Sequence, residues 1–219
     1  MSETYAQRLR VTFSTDDRVK YVGHLDMART FERALRRARL PLAYTQGFNP
    51  QPRIQFAAAL PVGFTGEAEL VDVYLNETLL PEEVVTRLAE ALPTGVHPLG
   101  AASVPREAPS LQSQLSAARY RVEVETTAGD AEFAAGLAEF LARTDALRER
   151  RRGKDTTTYD LRPLVLALDY TGPCALGQSF ETVMRSEAGA TGRPDELLAE
   201  MGFAEASRRI IRLALEFRA

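Results

Sequence analysis

Cysteine, lysine and histidine are scarce in this sequence. Cys174 is the only cysteine among 219 residues, so the chain cannot form an internal disulfide, and one cysteine cannot by itself hold zinc or an iron–sulfur cluster. Lys20 and Lys154 are the only lysines, and the two histidines, His24 and His97, do not form a metal-binding pair in sequence. Arginine therefore carries almost all of the positive charge, and any cationic binding surface must be built from it.

Common nucleotide and cofactor motifs are also missing. The sequence has no P-loop, no Gly-x-Gly-x-x-Gly that opens a helix and no Cys-x-x-x-Cys-x-x-Cys for a radical cluster. Paired acids occur at Asp16–Asp17 and Glu82–Glu83, but neighbours in sequence do not converge on one point of a helix or strand. No established enzyme signature is present, and we expect a binding module without a cofactor or metal of its own rather than an enzyme.

The sequence also lacks long apolar stretches. No run approaches the ~20 apolar residues needed to span a bilayer, and the first ten residues contain no apolar signal core. Hydrophobic residues make up 45% and charged residues 26% of the chain, which is typical of globular proteins. We therefore expect a cytoplasmic protein without a membrane partner. Because the net charge is −3, any attraction to nucleic acid must come from local clusters.

Hydrophobic periodicity predicts an α+β chain made of two similar halves. The first half contains these segments: 7–14 (strand), 25–40 (helix), 42–46 and 53–57 (short strands), 70–75 (strand), 81–92 (helix) and 95–104 (strand). The second half contains these: 120–124 (strand), 130–143 (helix), 146–152 (basic strand or hairpin arm), 160–170 (insertion or short helix), 175–185 (strand), 193–201 (helix) and 208–217 (strand). Such an order is typical of the βαββαβ, ferredoxin-like pattern. We predict two tandem ferredoxin-like domains with antiparallel sheets, residues 1–108 and 109–219, joined through the Pro- and Ser-rich segment 105–116.

The segment from Tyr21 to Gly63 contains residues that packing alone does not require. Arg29, Arg33, Arg36 and Arg37 fall at i, i+4, i+7 and i+8 of the predicted helix, opposite its apolar stripe. A solvated helix face is one interpretation. A phosphate-binding stripe is the other, because arginine binds phosphate oxygens bidentately.

His24 stands at the predicted first turn of this helix. A helix N-terminus disfavours the protonated imidazole, so a neutral ring could act as a base or as a hydrogen-bond donor. A capping or packing role is the simpler interpretation, because a lone histidine without a partner is weak support for catalysis. We keep His24 as a weak catalytic candidate.

The segment Gly47–Pro52 is predicted to be a stiff loop with a glycine at its base. Phe48 would either plug the core, which we favour slightly, or stack on a nucleic-acid base or a partner surface. We expect polar residues around it to line a concavity with His24: Tyr44, Gln46, Asn49 and Arg53.

The densest positive charge lies in the sequence RERRRGKD. It contains Arg148, Arg150, Arg151, Arg152 and Lys154. Arginine on both faces of a strand does not suit a buried position, so an exposed hairpin arm is the plain interpretation. Contact with nucleic-acid phosphates is the functional one, since a local basic patch can bind them on a mildly acidic protein.

The sequence GHLDMARTFERALRRARLPLAYTQGFNPQPRIQFAAALPVG resembles the radical-SAM-linked family, an uncharacterised bacterial family. The segments Gly23–Asp26 and Tyr44–Pro52 are its more specific motifs, and RERRRGKDTTTYDLRP and TGRPDELL in the second half also look like family elements. Members of the family are fused behind, or encoded beside, a B12-binding-type radical SAM protein. The resemblance implies that this partner holds the cluster and cofactor. It assigns no role to any residue.

Three functional hypotheses follow from these patterns. The first is a non-catalytic module whose two domains grip RNA and present it to the radical SAM protein. The second is a metal-independent endoribonuclease that uses His24, by a looser resemblance in architecture to the CRISPR repeat-processing enzymes, whose C-terminal glycine-rich loop is missing here. The third is a module that docks only on the radical SAM protein.

Overall fold

The chain is a mixed α+β protein with mostly antiparallel strand pairing, as predicted. The computed structural model describes residues 5–152 and 155–218, with the backbone alone for residues 150–152 and 155. Five α-helices occur within these ranges, and none of them is long and apolar enough to cross a membrane. The chain divides into two compact units, an N-terminal unit that ends at Gln114 and a C-terminal unit from Leu115 to Arg218.

The N-terminal unit contains one four-stranded antiparallel sheet and two main helices. Its elements are β1 (Gln7–Thr15), α1 (His24–Arg37), β2 (Ile54–Phe56), β3 (Phe64–Leu75), α2 (Pro81–Ala91), β4 (Val96–Val104) and the short α3 (Leu111–Gln114). β1 lies between β3 and β4, and β2 pairs with β3 on the side away from β1. The strand order is therefore β4-β1-β3-β2.

One face of this sheet forms the core with α1 and α2. Leu9 and Val11 of β1 are fully buried there against Phe31 and Leu35 of α1. Each such side chain contributes about 1.5–3 kcal/mol when it is buried. Because side chains alternate along a strand, the residues on either side of Leu9, Arg8 and Arg10, point to the other face.

Helix α1 is shorter than its periodicity predicts. It ends at Arg37, and Arg39 has a φ of 52°, in the left-handed region that non-glycine residues seldom adopt. Pro41 follows, and its ring cannot continue a helix. The short strand predicted at 42–46 is wrong. Only two isolated bridges form in this part of the described chain, Leu42 with Leu75 and Tyr44 with Pro52.

The C-terminal unit repeats the strand order of the first. Its elements are β5 (Leu115–Val124), α4 (Asp130–Ala142), β6 (Leu147–Arg152), β7 (Asp155–Asp160), a 3₁₀ turn (Arg162–Leu164), β8 (Val165–Pro173), β9 (Gln178–Glu187), β10 (Ala190–Thr191), α5 (Pro194–Glu200) and β11 (Arg208–Phe217). The sheet runs β11-β5-β9-β8, with the short β10 paired to the end of β9. The four main strands of each unit thus lie in the spatial order fourth, first, third, second.

Periodicity predicted one segment of this unit correctly and another incorrectly. The predicted hairpin arm is confirmed, since β6 and β7 pair with each other as a separate two-stranded sheet. Segment 160–170, predicted as an insertion or short helix, instead contains a 3₁₀ turn (Arg162–Leu164) followed by the first six residues of β8.

The predicted linker belongs in large part to the N-terminal unit. Leu111 is completely buried, and the side-chain amide of Gln112 donates a hydrogen bond to the carbonyl oxygen of Phe56 (3.1 Å). These contacts tie α3 to β2. The boundary between the units consequently falls after Gln114, six residues beyond the predicted position at 108.

Candidate functional site

His24 is the first residue of α1 and lines a narrow cleft in the N-terminal unit. Its ring packs edge-on against Phe56, with 5.5 Å between the ring centroids. Lys20 and Glu69 also line the cleft, whose volume of about 20 Å³ has room for roughly one water molecule. In the described part of the chain no hydrogen bond orients the His24 ring, whereas a catalytic base is commonly held by a third group. This geometry favours the packing interpretation of His24.

Arg53 lies on the opposite face of the sheet from His24. The backbone N–H of Tyr74 donates to the carbonyl oxygen of Arg53 (3.2 Å), which places Arg53 one position before β2. Because side chains alternate, Arg53 and Phe56 point to opposite faces. The guanidinium carbon of Arg53 lies 4.2 Å from the ring centroid of Tyr74 and 5.1 Å from that of Tyr5. The structure therefore does not bring Arg53 and His24 into one pocket.

Two of the four arginines predicted on α1 make local contacts. Nη1 of Arg29 donates to Oδ1 of Asp26 at 3.1 Å. Nη1 of Arg37 donates to the carbonyl oxygen of Ala91, the last residue of α2, at 3.3 Å. Arg37 thus ties the C-terminal end of α2 to α1, and Arg29 is already neutralised by an exposed carboxylate.

Arg33 and Arg36 are exposed on the same helix without such partners. Neither forms an ion pair with any residue that the structure describes. The guanidinium carbon of Arg36 lies over the ring of Tyr44, 6.0 Å from its centroid, a contact worth about 0.5–1 kcal/mol at an exposed site. This contact places the start of the loop beside the arginine face of α1.

The loop after Tyr44 is closed at its base and projects outward. The backbone N–H of Thr45 donates to the carbonyl oxygen of Gln51 (2.9 Å), and the N–H of Gln51 donates to Oγ1 of Thr45 (3.0 Å). Gly47 has a φ of 132°, which favours glycine because it has no Cβ. Phe48 is fully exposed, at 106% of its reference area. The favoured interpretation of Phe48 as a core plug is therefore wrong.

The side chains on this side of α1 and on the loop are exposed, and the contact of Arg36 with Tyr44 joins the two elements. We name these side chains the arginine–loop surface, which comprises Arg33, Arg36, Tyr44, Gln46, Phe48 and Asn49. It presents unpaired guanidinium groups, one half-exposed and one fully exposed aromatic ring, and two side-chain amides. Such a combination can bind an anionic polymer that carries flat aromatic groups.

Arg148 is the member of the predicted arginine arm whose side chain the structure describes. Its Nη1 donates to Oε2 of Glu200 (2.9 Å), and Nη1 of Arg143 donates to Oε1 of the same carboxylate (2.8 Å). Burial raises the pKa of Glu200, but the hydrogen bonds and charges of the two arginines outweigh it, so the pKa lies below its ordinary value. Arg148 is thus already engaged with α5. The other members lie outside the described side chains: Arg150, Arg151, Arg152 and Lys154.

A buried charge cluster on the sheet was missed from the sequence. Asp72 is completely buried and accepts hydrogen bonds from Nη2 of Arg8 (2.6 Å) and Nε of Arg10 (3.0 Å). Nη1 of Arg8 also donates to the carbonyl oxygen of Ala108 (2.7 Å). Asp72, the one acidic residue in the apolar strand sequence LVDVYL, was the sequence signal for this cluster. A charge buried in such a strand needs a partner of opposite charge.

The fold and the surface define a class of protein: a two-unit α+β protein that presents arginine and aromatic side chains from one helix and one closed loop. The family follows from the sequence match over residues 8–194. The chain belongs to the family described as uncharacterized protein conserved in bacteria (DUF2344). Comparison with curated proteins gives no match.

Two solved structures align with the chain at low sequence identity. A chain of a Cbf5-Nop10-Gar1 complex aligns with a TM-score of 0.55 and 8% identity, over 94% of this chain and 48% of that one. The present chain thus spans about half the length of that neighbour, and the likeness shows the fold alone. A protein described as a glycine cleavage system transcriptional repressor aligns over 94% of this chain and 98% of that one, with 10% identity and a TM-score of 0.24, which carries no argument.

Proposed function

We propose that this chain is a non-catalytic RNA-binding module and that the arginine–loop surface is its contact surface. The observation that carries the proposal is the position of Phe48. It projects fully exposed from the loop that begins at Tyr44, the residue whose ring contacts the unpaired Arg36.

The exposure of Phe48 is energetically unfavourable in the isolated protein. Leaving a phenylalanine in water forgoes about 1.5–3 kcal/mol that burial would contribute. Stacking of an aromatic ring on an RNA base restores a similar amount, about 1–3 kcal/mol per base. Tyr44 offers a second ring, and RNA is recognised largely through unpaired, stacked bases.

The two exposed arginines supply attraction to phosphate. Arg33 and Arg36 are one helical turn apart, so both guanidinium groups face the same side of α1. Neither has an ion-pair partner among the described residues, so phosphate binding does not have to break an ion pair. Gln46 and Asn49 place amide donors and acceptors beside them for contacts with base edges.

A salt-dependence experiment tests this proposal. Fluorescence anisotropy would measure binding of the full chain to labelled tRNA and to a labelled single-stranded RNA at salt concentrations from 50 to 300 mM. We expect affinity to fall as salt rises, and the double variant Arg33→Ala/Arg36→Ala to lower the slope of log affinity against log salt by about 1.4, because each phosphate contact on a single strand contributes roughly 0.7.

Arg87→Ala/Arg119→Ala is the matched control for the double variant. Both are half-exposed arginines that already pair with a glutamate, Arg87 with Glu83 and Arg119 with Glu216. Their removal changes the net charge equally but leaves the arginine–loop surface intact. The proposal fails if the wild-type chain ignores both RNAs at low salt, or if the double variant and the control behave alike. A chain that ignores RNA but forms a complex with another protein through Phe48 would indicate a docking module instead.

We also propose that the module serves a B12-type radical SAM protein. The support is the sequence resemblance alone, chiefly in Gly23–Asp26 and Tyr44–Pro52. These motifs contribute the start of α1 and the loop of the arginine–loop surface. Co-expression with a radical SAM protein encoded beside a member of this family is expected to give a complex that survives size-exclusion chromatography. Separate elution of the two proteins, with and without RNA, would contradict this partner.

We also propose that each unit is a ferredoxin-like domain. The support is the shared order of four strands and two helices and the shared strand order of the two sheets. An experimental structure with a different strand order in either sheet would contradict it.

A further inference from the structure

The C-terminal unit contains a large groove, lined by both apolar and charged side chains, that the proposed RNA contact does not use. It has a volume of about 540 Å³ and lies between α4 and the end of α5. Phe133 and Phe140 line it from α4, and Met201 and Phe203 line it from the segment after α5. Apolar side chains at the base and an open mouth are typical of a site for a peptide or helix.

Gly136 lines the groove from the middle of α4. It lies in the interior of α4, where glycine is less favourable than alanine. A Cβ at this position would meet nothing closer than the Cε of Met201 at 4.0 Å, so internal packing does not demand glycine. The missing side chain therefore deepens the groove and lowers the intrinsic stability of the helix. Packing inside the unit does not explain why this position is glycine.

The outer face of α4 is unusual for a helix at a protein surface. Its exposed positions include Ala131, Ala135 and Ala138, whereas an exposed face normally carries charged residues. Small side chains let a second helix approach closely, within the 8–10 Å axial distance of packed helices. The face thus has the shape that a docked helix requires.

Charge at the rim indicates the chemistry of the occupant. Glu132 and Glu139 are exposed on the same stripe of α4 as Gly136, one on each side of it. They are seven residues apart, about 10 Å along the axis. Neither has an ion-pair or hydrogen-bond partner among the residues that the structure describes. Glu200, the third acid of the groove, is neutralised by Arg143 and Arg148.

The geometry points to this groove as the docking site for a cationic amphipathic helix of a partner protein. The helix would lay small or aliphatic residues over Gly136 and place lysine or arginine, two turns apart, against Glu132 and Glu139. The basic helix of this chain, α1, is an unsuitable occupant because its apolar face is buried in its own core. This docking site does not depend on RNA binding by the arginine–loop surface.

A selection experiment tests the proposal with the full chain. A phage-displayed library of helical peptides would be selected on the wild-type protein and counter-selected on Gly136→Leu, whose side chain fills the groove. We expect enrichment of peptides with lysine or arginine seven residues apart and small or aliphatic residues between them. No enrichment over the filled variant, or enrichment of acidic or charge-free peptides, overturns the proposal.

Charge-reversal variants keep the test independent of folding. The best peptide would be synthesised and titrated into wild-type protein, Glu132→Lys/Glu139→Lys and the control Glu90→Lys, an exposed acid on α2. We expect the double reversal to weaken binding by about tenfold or more and the control to match wild type. Equal affinity for all three overturns the proposal. So does sedimentation showing that the wild-type chain dimerises and that Gly136→Leu is a monomer, which would make a second copy the occupant.

Discussion

On the sheet face away from α1, Arg8 and Arg10 are held by the buried carboxylate of Asp72, whereas on α1 Arg33 and Arg36 are exposed and have no acidic partner in the described chain. Both pairs belong to the N-terminal unit, and in both arginine carries the positive charge because the chain has only two lysines. The difference is the presence of a buried acceptor. Where Asp72 and backbone carbonyl oxygens satisfy the guanidinium groups, arginine stabilises the fold. Where they do not, the cation stays exposed, and there we propose that RNA phosphates bind.

Removal of Asp72 is expected to have the largest effect. Asp72→Ala should lower the free energy of unfolding by about 3–5 kcal/mol, because it leaves the charge of Arg8 buried without its partner. Denaturant unfolding followed by circular dichroism measures this. Asp26→Ala, which removes the exposed partner of Arg29, is the control and should change stability by less than about 0.5 kcal/mol. Similar losses for both variants would mean that the two classes of arginine do not differ as described.

Phe48→Ala is expected to have the opposite effect to Asp72→Ala: it should weaken RNA binding and leave the free energy of unfolding unchanged. The side chain is fully exposed, so its removal costs no packing, but it should reduce the free energy of RNA binding by about 1–3 kcal/mol through the lost stack. Anisotropy titration and thermal unfolding of the same sample measure the two quantities. Phe48→Tyr, which keeps an aromatic face, should retain most of the affinity. Wild-type affinity in Phe48→Ala would exclude stacking at this position.

A comparison within α1 sharpens the distinction between paired and unpaired arginine. Arg33→Ala should weaken RNA binding by about 1 kcal/mol, the net contribution of a typical hydrogen bond. Arg29→Ala should weaken it less, because Arg29 already pairs with Asp26 at 3.1 Å. Parallel titrations at one salt concentration measure both. An equal loss for the two variants would show that net charge, and not the pairing state, sets affinity.

The smallest expected effect concerns Glu200 in the C-terminal unit. Its pKa in the folded protein is lowered, because the hydrogen bonds from Arg143 and Arg148 outweigh burial. The unfolded chain therefore binds this proton more tightly, so the stabilisation is complete above the ordinary glutamate pKa and is lost as the pH falls through the lowered one. Urea midpoints between pH 6 and 3 should fall less for Glu200→Gln than for wild type. Parallel pH profiles would contradict the ion-pair account of Arg148.

Much of the regular structure could be predicted from periodicity, because α1, α2, α4 and β5 each bury one regularly spaced face. The failures have physical causes. Hydrophobicity suggested that Phe48 would be buried, but the closure of the loop at Thr45 and Gln51 turns it outward. The predicted pocket of His24 and Arg53 failed because strand alternation places them on opposite faces. The pairing of Arg8 with Asp72 spans sixty-four residues and depends on the register of β1 and β3, which local patterns do not determine.

Our central proposal is that RNA binds the arginine–loop surface and not the cluster that Arg53 forms with Tyr5 and Tyr74 on the sheet. An NMR titration of the full chain with single-stranded RNA tests this most directly. We predict that the largest shifts fall on the side-chain signals of Arg33, Arg36 and Phe48, while the ring signals of Tyr5 and Tyr74 stay in place. Shifts that centre on Tyr5 and Tyr74, or the absence of any shift at low salt, would contradict it.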